Sequence, residues 1–486
     1  MTMLSLIEAA QLMPGAVVRG DGHARFERIG TDSRTAGPGD LFVALKGDRF
    51  DAHNFLRDVA ARGVSAVLAS HLPDDWALPS LVVQDTRTAL GALASGWRRR
   101  YTMPLVAVTG SNGKTTVKEM IASIFAQAVG EPARLSTVGN FNNDVGLPLT
   151  LLRLSDAHRL AVVELGMNHP GETDVLARIA LPTIALINNA QREHQEFMAT
   201  VEAVALEHAS VIHALPADGA AVFPADDVYA GIWRVAATGN RIVDFALEDA
   251  SRAEAGVSAA VTGSLEGNRL RVRTSVGAFD AALQVLGDHN ARNALAATAA
   301  AVAANVPLDA IVRGLESFAP VKGRLQVKRA VTGALAGATV IDDTYNANPD
   351  SMRAAIDVLA GCAAPRVLVM GDMGEVGDNG PQFHREVGAY ARERGIEALA
   401  ALGDATWESC AAFDAAGSAA GASAVASQAA HFDDVSTLVE YVLQAGFGPS
   451  ATVLVKGSRF MRMERVVDAL TASPSPHVPG GLPGTY

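Results

Sequence analysis

Apolar positions along the chain cluster into short unbroken runs. Between residues 100 and 225 the runs "PLVAVTG", "RLAVVELG", "TIALINN" and "AAVFPADD" alternate with stretches of helical spacing. A strand buried on both faces reads as such a continuous run, and its alternation with helices predicts βαβ units and a parallel sheet. A second set, "GATVIDDTY", "RVLVMGDMG", "ALAALGD" and "TVLVKGS", repeats the pattern and predicts another doubly wound sheet. Ahead of residue 86, "GDLFVALKG", "GVSAVLAS" and "SLVVQDT" sit among Gly and Asp turns and predict a small α/β domain. The segment from about 242 to 286 differs: "RLRVRTSV" alternates and "AALQVLG" follows, which predicts antiparallel strands. "NALAATAAAVAANV" reads as a packed helix, because Ala favours helix.

The fold class is therefore α/β with three domains. These are a small N-terminal α/β domain over 1–86, a central mostly parallel sheet over 87–320, and a C-terminal Rossmann-like doubly wound sheet over 321–472. Residues 412–430, rich in Ala, Ser and Gly, read as surface helix or loop, and the Pro/Gly/Ser tail 473–486 as disordered.

Composition narrows the function classes. The chain has 486 residues, 49% of them hydrophobic and 19% charged, which is a globular composition. A net charge of −12 argues against a duplex-binding surface, so no nucleic-acid partner is expected. Cys362 and Cys410 are too few for a disulfide framework or zinc cluster and suit a reducing compartment. The start "MTMLSLIEAAQLM" has neither a basic opening nor a long apolar core, and no run reaches the length of a membrane span. A cytoplasmic location, no membrane insertion and a monomer are the expectations.

"GSNGKTT", Gly110–Thr116, follows directly on an apolar strand and opens the helical stretch "TVKEMIASIFAQAVG". Gly110, Ser111, Asn112 and Gly113 form a turn whose backbone N–H groups can face a phosphate, and the helix N-terminus adds positive partial charge. In such a P-loop, Lys114 reaches the terminal phosphates, the Thr115 hydroxyl can ligate Mg²⁺, and Thr116 completes the nucleotide-binding stretch. The usual spacing would put a glycine at position 108, where Val108 stands, so the loop is a compact variant. A second acidic ligand is expected near the loop, and Glu164 ends the next apolar strand, where an open α/β sheet gathers ligand groups. The tract "TVGNFNNDVGLP" sets Asn140 and Asn143 among glycines; the amides suit sugar, carbonyl or phosphate recognition, and Asx turns explain the pattern equally well.

A cradle alone does not separate a kinase, a switch and a ligase. The ordered motifs "VTGSNGKTTVKEM", "GNFNNDVGLP", "VVELGMNHPGE", "LGDHNARNALAA", "KGRLQ", "IDDTYNANPDSM", "VMGDMGEVG" and "LVKGSRFMRME" closely resemble the Mur ligases of bacterial cell-wall synthesis. "TDSRTAGPGDLFVALKGDRFDAHNF" extends the resemblance into the first domain, leaving out only the tail and the Ala/Ser/Gly stretch. "DDTYNANPDSM", "MGDMGEVG" and "VKGSR" look most like the member that adds the terminal dipeptide. The resemblance implies an ATP- and Mg²⁺-dependent amide ligase of peptidoglycan synthesis, and through it of cell shape and division. ATP would phosphorylate the carboxylate of UDP-N-acetylmuramoyl-tripeptide, and the amine of D-alanyl-D-alanine would attack the acyl phosphate. The alternatives are a related ligase, adding the third residue or acting on folylpolyglutamate, and a P-loop kinase.

Carried over residue by residue, the resemblance implies that His194 in "REHQEF" binds a second Mg²⁺ and that Asn290 and Asn293 in "HNARN" meet adenine. As a bare pattern, Asn290 reads better as a helix-start cap. Arg324 in "KGRLQ" is implied to reach the ATP phosphates, and Asp343, Tyr345, Asn346 and Asn348 to face ATP and the dipeptide, against a plain Asx turn. Lys456 and Ser458 in "VKGSR" fit either a phosphate or carboxylate contact or a structural turn. Ser33, Arg34 and Lys46 are candidate contacts to the uridine diphosphate. One departure stands out. The family carries a carbamylated lysine where this chain has His208, with Glu207 beside it, and no lysine occurs between Lys118 and Lys322. Glu207 or His208 is thus expected to supply the missing ligand, Glu207 as an oxygen donor suited to Mg²⁺. With the cradle in the middle block and the dipeptide stretch in the third, turnover is expected to need domain closure.

Overall fold

The computed structural model describes residues 3–47, 49–248, 258–419 and 428–472, with only the backbone of 418 and 419. The tail 473–486 and the middle of the Ala/Ser/Gly stretch lie outside the described residues. Contacts divide the chain into two compact units. The first holds the chain up to Gln191 together with Thr200–Leu283 and Ala291–Phe318; the second holds Arg192–Ala199, Gln284–Asn290 and the chain from Ala319 on.

The first unit contains the small N-terminal sheet, in the strand order Val17–Arg19, Ser80–Val82, Ala66–Ala69, Asp40–Val43, Arg28–Gly30. Its Val17–Arg19 edge runs antiparallel and the other pairings are parallel. The helix Thr86–Arg98 leads onward, and Trp97 anchors it by donating Nε1–H to the Leu154 carbonyl at 3.1 Å.

The central sheet of this unit runs Arg241–Ile242, Ala220–Val222, Ile184–Ile187, Leu105–Thr109, Leu160–Glu164, Arg134–Ser136, with every pairing parallel. Leu105–Thr109 is buried at every residue, as a central parallel strand must be. The chain order places its C-terminal end, between Leu160–Glu164 and Ile184–Ile187, at the point where ligands bind in such sheets. The helix Lys114–Val129 springs from that end, and its far half is pinned by the helix Leu308–Ser317. A Cβ on Gly314 would lie 2.4 Å from Ile124 Cα, so only glycine allows this approach, and Ser123 Oγ donates to the Gly314 carbonyl at 2.7 Å.

Residues 242–286 hold the antiparallel strands Val261–Glu266, Arg269–Thr274 and Gly277–Ala282. The expectation needs one amendment: Phe245–Leu247 joins this sheet parallel to Val261–Glu266, because the segment entering it continues in the direction of the central sheet's edge strand. The Ala-rich helix Asp288–Ala303 is apolar nearly all round, with Ala294–Ala301 buried almost without interruption. That burial is why its pattern carries no amphipathic stripe.

The second unit is the doubly wound sheet: Gln326–Arg329, Thr339–Asp343, Thr452–Lys456, Arg366–Gly371, Ala398–Leu402, Gln428–Phe432, parallel except at the first edge. The Ala/Ser/Gly stretch begins in the helix Trp407–Ala419 and ends in the strand Gln428–Phe432.

Candidate active site

The turn after Leu105–Thr109 is built from its backbone outward. Gly110 and Gly113 hold φ of 128° and 80°, conformations that fold the loop back over the helix start. The helix runs Lys114–Val129 with Gly130 at its C-cap, close to the boundaries read from the sequence. Lys114 Nζ donates to the carbonyls of Gly110 and Ser111, so the ammonium lies over the loop it closes.

Three residues after Ile184–Ile187 hold the loop in shape, and sequence reasoning missed them. Asn188 Nδ2 donates to Asn112 O at 2.7 Å and to Asn293 Oδ1 at 2.9 Å. Asn189 Oδ1 accepts the Asn112 N–H at 2.9 Å, and Gln191 Oε1 accepts from Asn112 Nδ2 at 2.6 Å. Ser111 and Gln191 exchange bonds as well, Gln191 N–H to Ser111 Oγ at 2.8 Å. The signal was in the sequence: "NNAQ" stands directly after an apolar strand, at the sheet end where ligand groups gather. Asn293, expected at adenine, is brought here against the loop.

On the other side of the cradle strand, the Thr115 hydroxyl donates to Glu164 Oε1 at 3.2 Å, and Asn142 Nδ2 donates to the same oxygen at 2.9 Å. Glu164 is 3% exposed, and its Oε2 is buried without a hydrogen-bond partner. A buried carboxylate oxygen left in that state is costly unless a cation completes it. The donor set of Thr115, Glu164 and the loop therefore fits a hard, oxygen-seeking ion such as Mg²⁺. Among the tract's asparagines, the one that reaches this carboxylate is Asn142, not Asn140 or Asn143. Asn143 makes an Asx turn instead, its Oδ1 accepting the N–H of Val145 at 3.2 Å and of Gly146 at 2.8 Å, while the Asn140 carbonyl accepts the Asn142 N–H at 2.8 Å. Thr116 is buried in the helix's first turn.

Glu207 departs from its expected role. Its Oε2 accepts the Gly171 N–H and its Oε1 the Thr173 N–H, each at 2.8 Å. Its carboxylate thus caps the helix Glu172–Ala180 rather than standing open as a ligand. His208 is fully buried, with Nδ1 3.0 Å from the Thr109 hydroxyl, one residue ahead of the loop.

His194 belongs to the second unit. Its φ is 48°, and Nδ1 lies 2.8 Å from Glu375 Oε2, itself on a residue with φ of 58°. The buried Glu193 carboxylate faces the other ring nitrogen at 3.9 Å. Non-glycine residues held in the left-handed region cluster at functional sites. Arg192 adds a fork: Nη2 to Asp350 Oδ1 at 2.7 Å, and Nη1 to Glu386 Oε2 at 2.7 Å. Burial works against the Arg192 charge, but these two carboxylates outweigh it and hold the guanidinium above its usual value.

Elsewhere in the second unit, Asp343 and Lys456 end adjacent parallel strands in direct register, and Lys456 Nζ bonds Asp343 Oδ2 at 2.6 Å and Asn346 O at 2.9 Å. Asp343 Oδ1 takes the Leu325 N–H at 3.1 Å. Arg324 lies over the Tyr345 ring, 4.2 Å from its centroid. These residues are brought together. Asn348 caps the helix Pro349–Ala360, accepting the Ser351 N–H at 2.8 Å, so it takes the Asx-turn role. Ser458 Oγ donates to Ala347 O at 3.0 Å and accepts the Gly374 N–H at 2.8 Å, bracing the same loops. Asn290 Nδ2 donates to Leu286 O at 2.8 Å, inside the second unit. In the N-terminal domain Arg34 is forked onto Asp32, with Ser33 between the two in the chain, and Lys46 pairs its backbone with Asp51.

Three stretches match Mur ligase families: 25–98 the Mur ligase family catalytic domain, 108–301 the middle domain, and 323–459 the glutamate ligase domain. The UDP-N-acetylmuramoyl-tripeptide–D-alanyl-D-alanine ligase of Haemophilus influenzae is 37% identical over 479 residues, covering 97% of this chain and 99% of its own. The enzyme of the same name from Escherichia coli is 37% identical over 471 residues, with the same coverage. The crystal structure of MurF from Acinetobacter baumannii superposes with a TM-score of 0.85 at 34% identity, covering 96% of this chain and 99% of that one.

Proposed function

The chain belongs to the Mur ligase family, and we propose that it joins D-alanyl-D-alanine to UDP-N-acetylmuramoyl-tripeptide with hydrolysis of ATP, in the cytoplasm and as a monomer. Among the described residues no helix is long and apolar enough to cross a membrane, which is compatible with that reading. The observation that carries it is the buried, unpartnered Glu164 Oε2 beside the Thr115 hydroxyl at the mouth of a glycine cradle. Residues 1–86 take the UDP-sugar, 87–320 take ATP and 321–472 take the dipeptide.

A carboxylate is a poor acyl donor, and phosphorylation gives it a leaving group. In the reaction, a tripeptide carboxylate oxygen attacks the terminal phosphorus and ADP departs. The dipeptide amine then attacks the acyl carbon, loses a proton, and expels inorganic phosphate. Transfer between two anions is a problem of alignment and charge. Gly110–Gly113 present backbone N–H groups to the phosphates, and Lys114 exchanges its loop carbonyls for phosphate oxygens. Thr115 and Glu164 would hold one Mg²⁺ and His194 a second. Bound there, the ions supply charge neutralisation and a template for both oxygen-rich reactants. Asn188, Asn189 and Gln191 keep the cradle in shape, and Asn142 orients Glu164. Asn290, Asn293, Arg324 and Asp343 serve the nucleotide side, and Tyr345 and Asn346 the dipeptide.

The test follows oxygen. With ¹⁸O in the tripeptide carboxylate, one label should appear in the released phosphate, and release should require ATP, tripeptide and dipeptide together. Phosphate released from ATP without the dipeptide, and free of label, would make the protein an ATPase instead. Glu164→Gln should lower turnover by about 100-fold or more, as loss of a direct ligand to the transferring group's cation does.

A further inference from the structure

The segment Arg192–Ala199 packs as part of the second unit, although the chain on both sides of it belongs to the first. Its hold is concentrated at Arg192. The backbone N–H donates to Asp350 Oδ2 at 2.8 Å, Nε reaches both Asp350 oxygens at 3.1 and 3.2 Å, and Nη2 reaches Oδ1 at 2.7 Å. Nη1 takes Glu386 at 2.7 Å, and the guanidinium lies 5.2 Å from the Phe383 ring centroid. Arg192 and Asp350 side chains are 22% and 23% exposed, so water screens this fork only weakly. Two residues on, the His194 ring meets Glu375, and the Glu196 N–H reaches the Glu375 carbonyl at 3.4 Å. Asp350 sits in the first turn of the helix Pro349–Ala360, two residues past Asn348. One arginine thus ties the strained His194 turn to the start of the helix that follows Tyr345 and Asn346.

We infer that Arg192 is a positioning residue, which sets His194 and the Tyr345–Asn348 stretch in one frame so that the metal side and the dipeptide side of the reaction arrive together. This rests on the roles proposed above for His194 and that stretch. A guanidinium fork suits the task because its planar geometry fixes direction as well as distance. A purely structural arginine would stabilise the unit without regard to which substrate is bound.

The experiment uses the full chain and the variants Arg192→Met, Arg192→Lys, Asp350→Asn and His194→Ala. In Arg192→Met and Asp350→Asn, turnover should fall about 10- to 100-fold, the range for residues that orient metal ligands. The KM for D-alanyl-D-alanine and the Mg²⁺ half-saturation should rise, while the KM for UDP-N-acetylmuramoyl-tripeptide stays unchanged. Mn²⁺ binding, read by electron paramagnetic resonance with a non-hydrolysable ATP analogue, should weaken in step. Arg192→Lys keeps charge without the fork and should recover only part of the loss. Wild-type constants in Arg192→Met beside an inactive His194→Ala overturn the inference alone. So does a fall in thermal midpoint that moves every KM together. His194→Ala with wild-type activity and Mn²⁺ binding removes the reading of His194 and this inference with it.

Discussion

Glu207 holds the start of a helix to which it does not belong: its Oε2 accepts the N–H of Gly171 at 2.8 Å, at the N-cap of Glu172–Ala180. With Oε1 on Thr173 N–H, it satisfies two of the backbone donors a helix leaves open, and its charge meets the positive end of the helix dipole. Gly171 has no side chain to do this. Glu207→Ala should therefore cost about 1–2 kcal/mol of stability, read as a lowered thermal midpoint. The Mg²⁺ half-saturation should not change. A raised half-saturation at unchanged stability would return Glu207 to the metal.

Arg34 grips Asp32 through Nε at 2.9 Å and Nη2 at 2.7 Å, and its backbone N–H adds a third bond at 2.9 Å. The guanidinium first, then the backbone N–H, hold the Asp32 carboxyl down at about 2. A depressed carboxyl contributes stability that is present above the ordinary value near 3.9 and lost as pH falls through about 2. Both side chains face water, Arg34 at 86% exposure, so the stability effect is small and salt weakens it. By NMR at low salt, Asp32 should stay ionised at about pH 3, where ordinary carboxyls are protonated. Arg34→Ala should lift its midpoint only part of the way, because the backbone bond remains. Binding of a UDP-sugar that takes Arg34 away from Asp32 should lift it as well, and an unmoved midpoint in the complex removes Arg34 from the substrate contacts.

The sheets were legible because parallel strands must be apolar on both faces, and "PLVAVTG" or "TVLVKGS" can hardly be anything else between turn signals. The cradle was legible because glycine, lysine and threonine there each answer a separate demand of a phosphate. The residues that brace it were legible only in part: "NNAQ" marks polar groups at a strand end, but not the loop they hold. Asn188, Asn189 and Gln191 act through hydrogen bonds to a loop 76 to 80 residues earlier, a pairing set by sheet order alone. Asn142 and Asn143 look alike in "NFNND", yet one turns toward Glu164 and the other closes its own backbone turn. Arg192 reads as an ordinary charged loop residue until Asp350 and Glu386 are brought to it. Glu207 shows the opposite failure: its place beside His208 suggested a ligand, and the neighbouring helix claimed it.

Gly113 offers the sharpest separation of strain from collision. Its φ of +80° is a conformation that costs an L-residue about 1–2 kcal/mol. A Cβ there would also stand 2.5 Å from Asn293 Oδ1 and 2.6 Å from Asn188 Nδ2. Both asparagines are 5% exposed and joined to each other at 2.9 Å, so neither can withdraw without breaking a buried bond, at about 1–3 kcal/mol. Asn188 would also release Asn112 O, and the loop would lose the shape that faces its N–H groups to a phosphate. Gly239 gives the comparison, with φ of +94° and nothing within 4 Å of a built Cβ. Gly239→Ala should show strain alone: a lower thermal midpoint with ATP affinity intact. Gly113→Ala should lose at least about tenfold in affinity for a non-hydrolysable ATP analogue by calorimetry, the equivalent of about 1.4 kcal/mol. Equal affinities in the two variants would mean that the asparagine brace does not set the cradle, and that Gly113 serves the backbone turn alone.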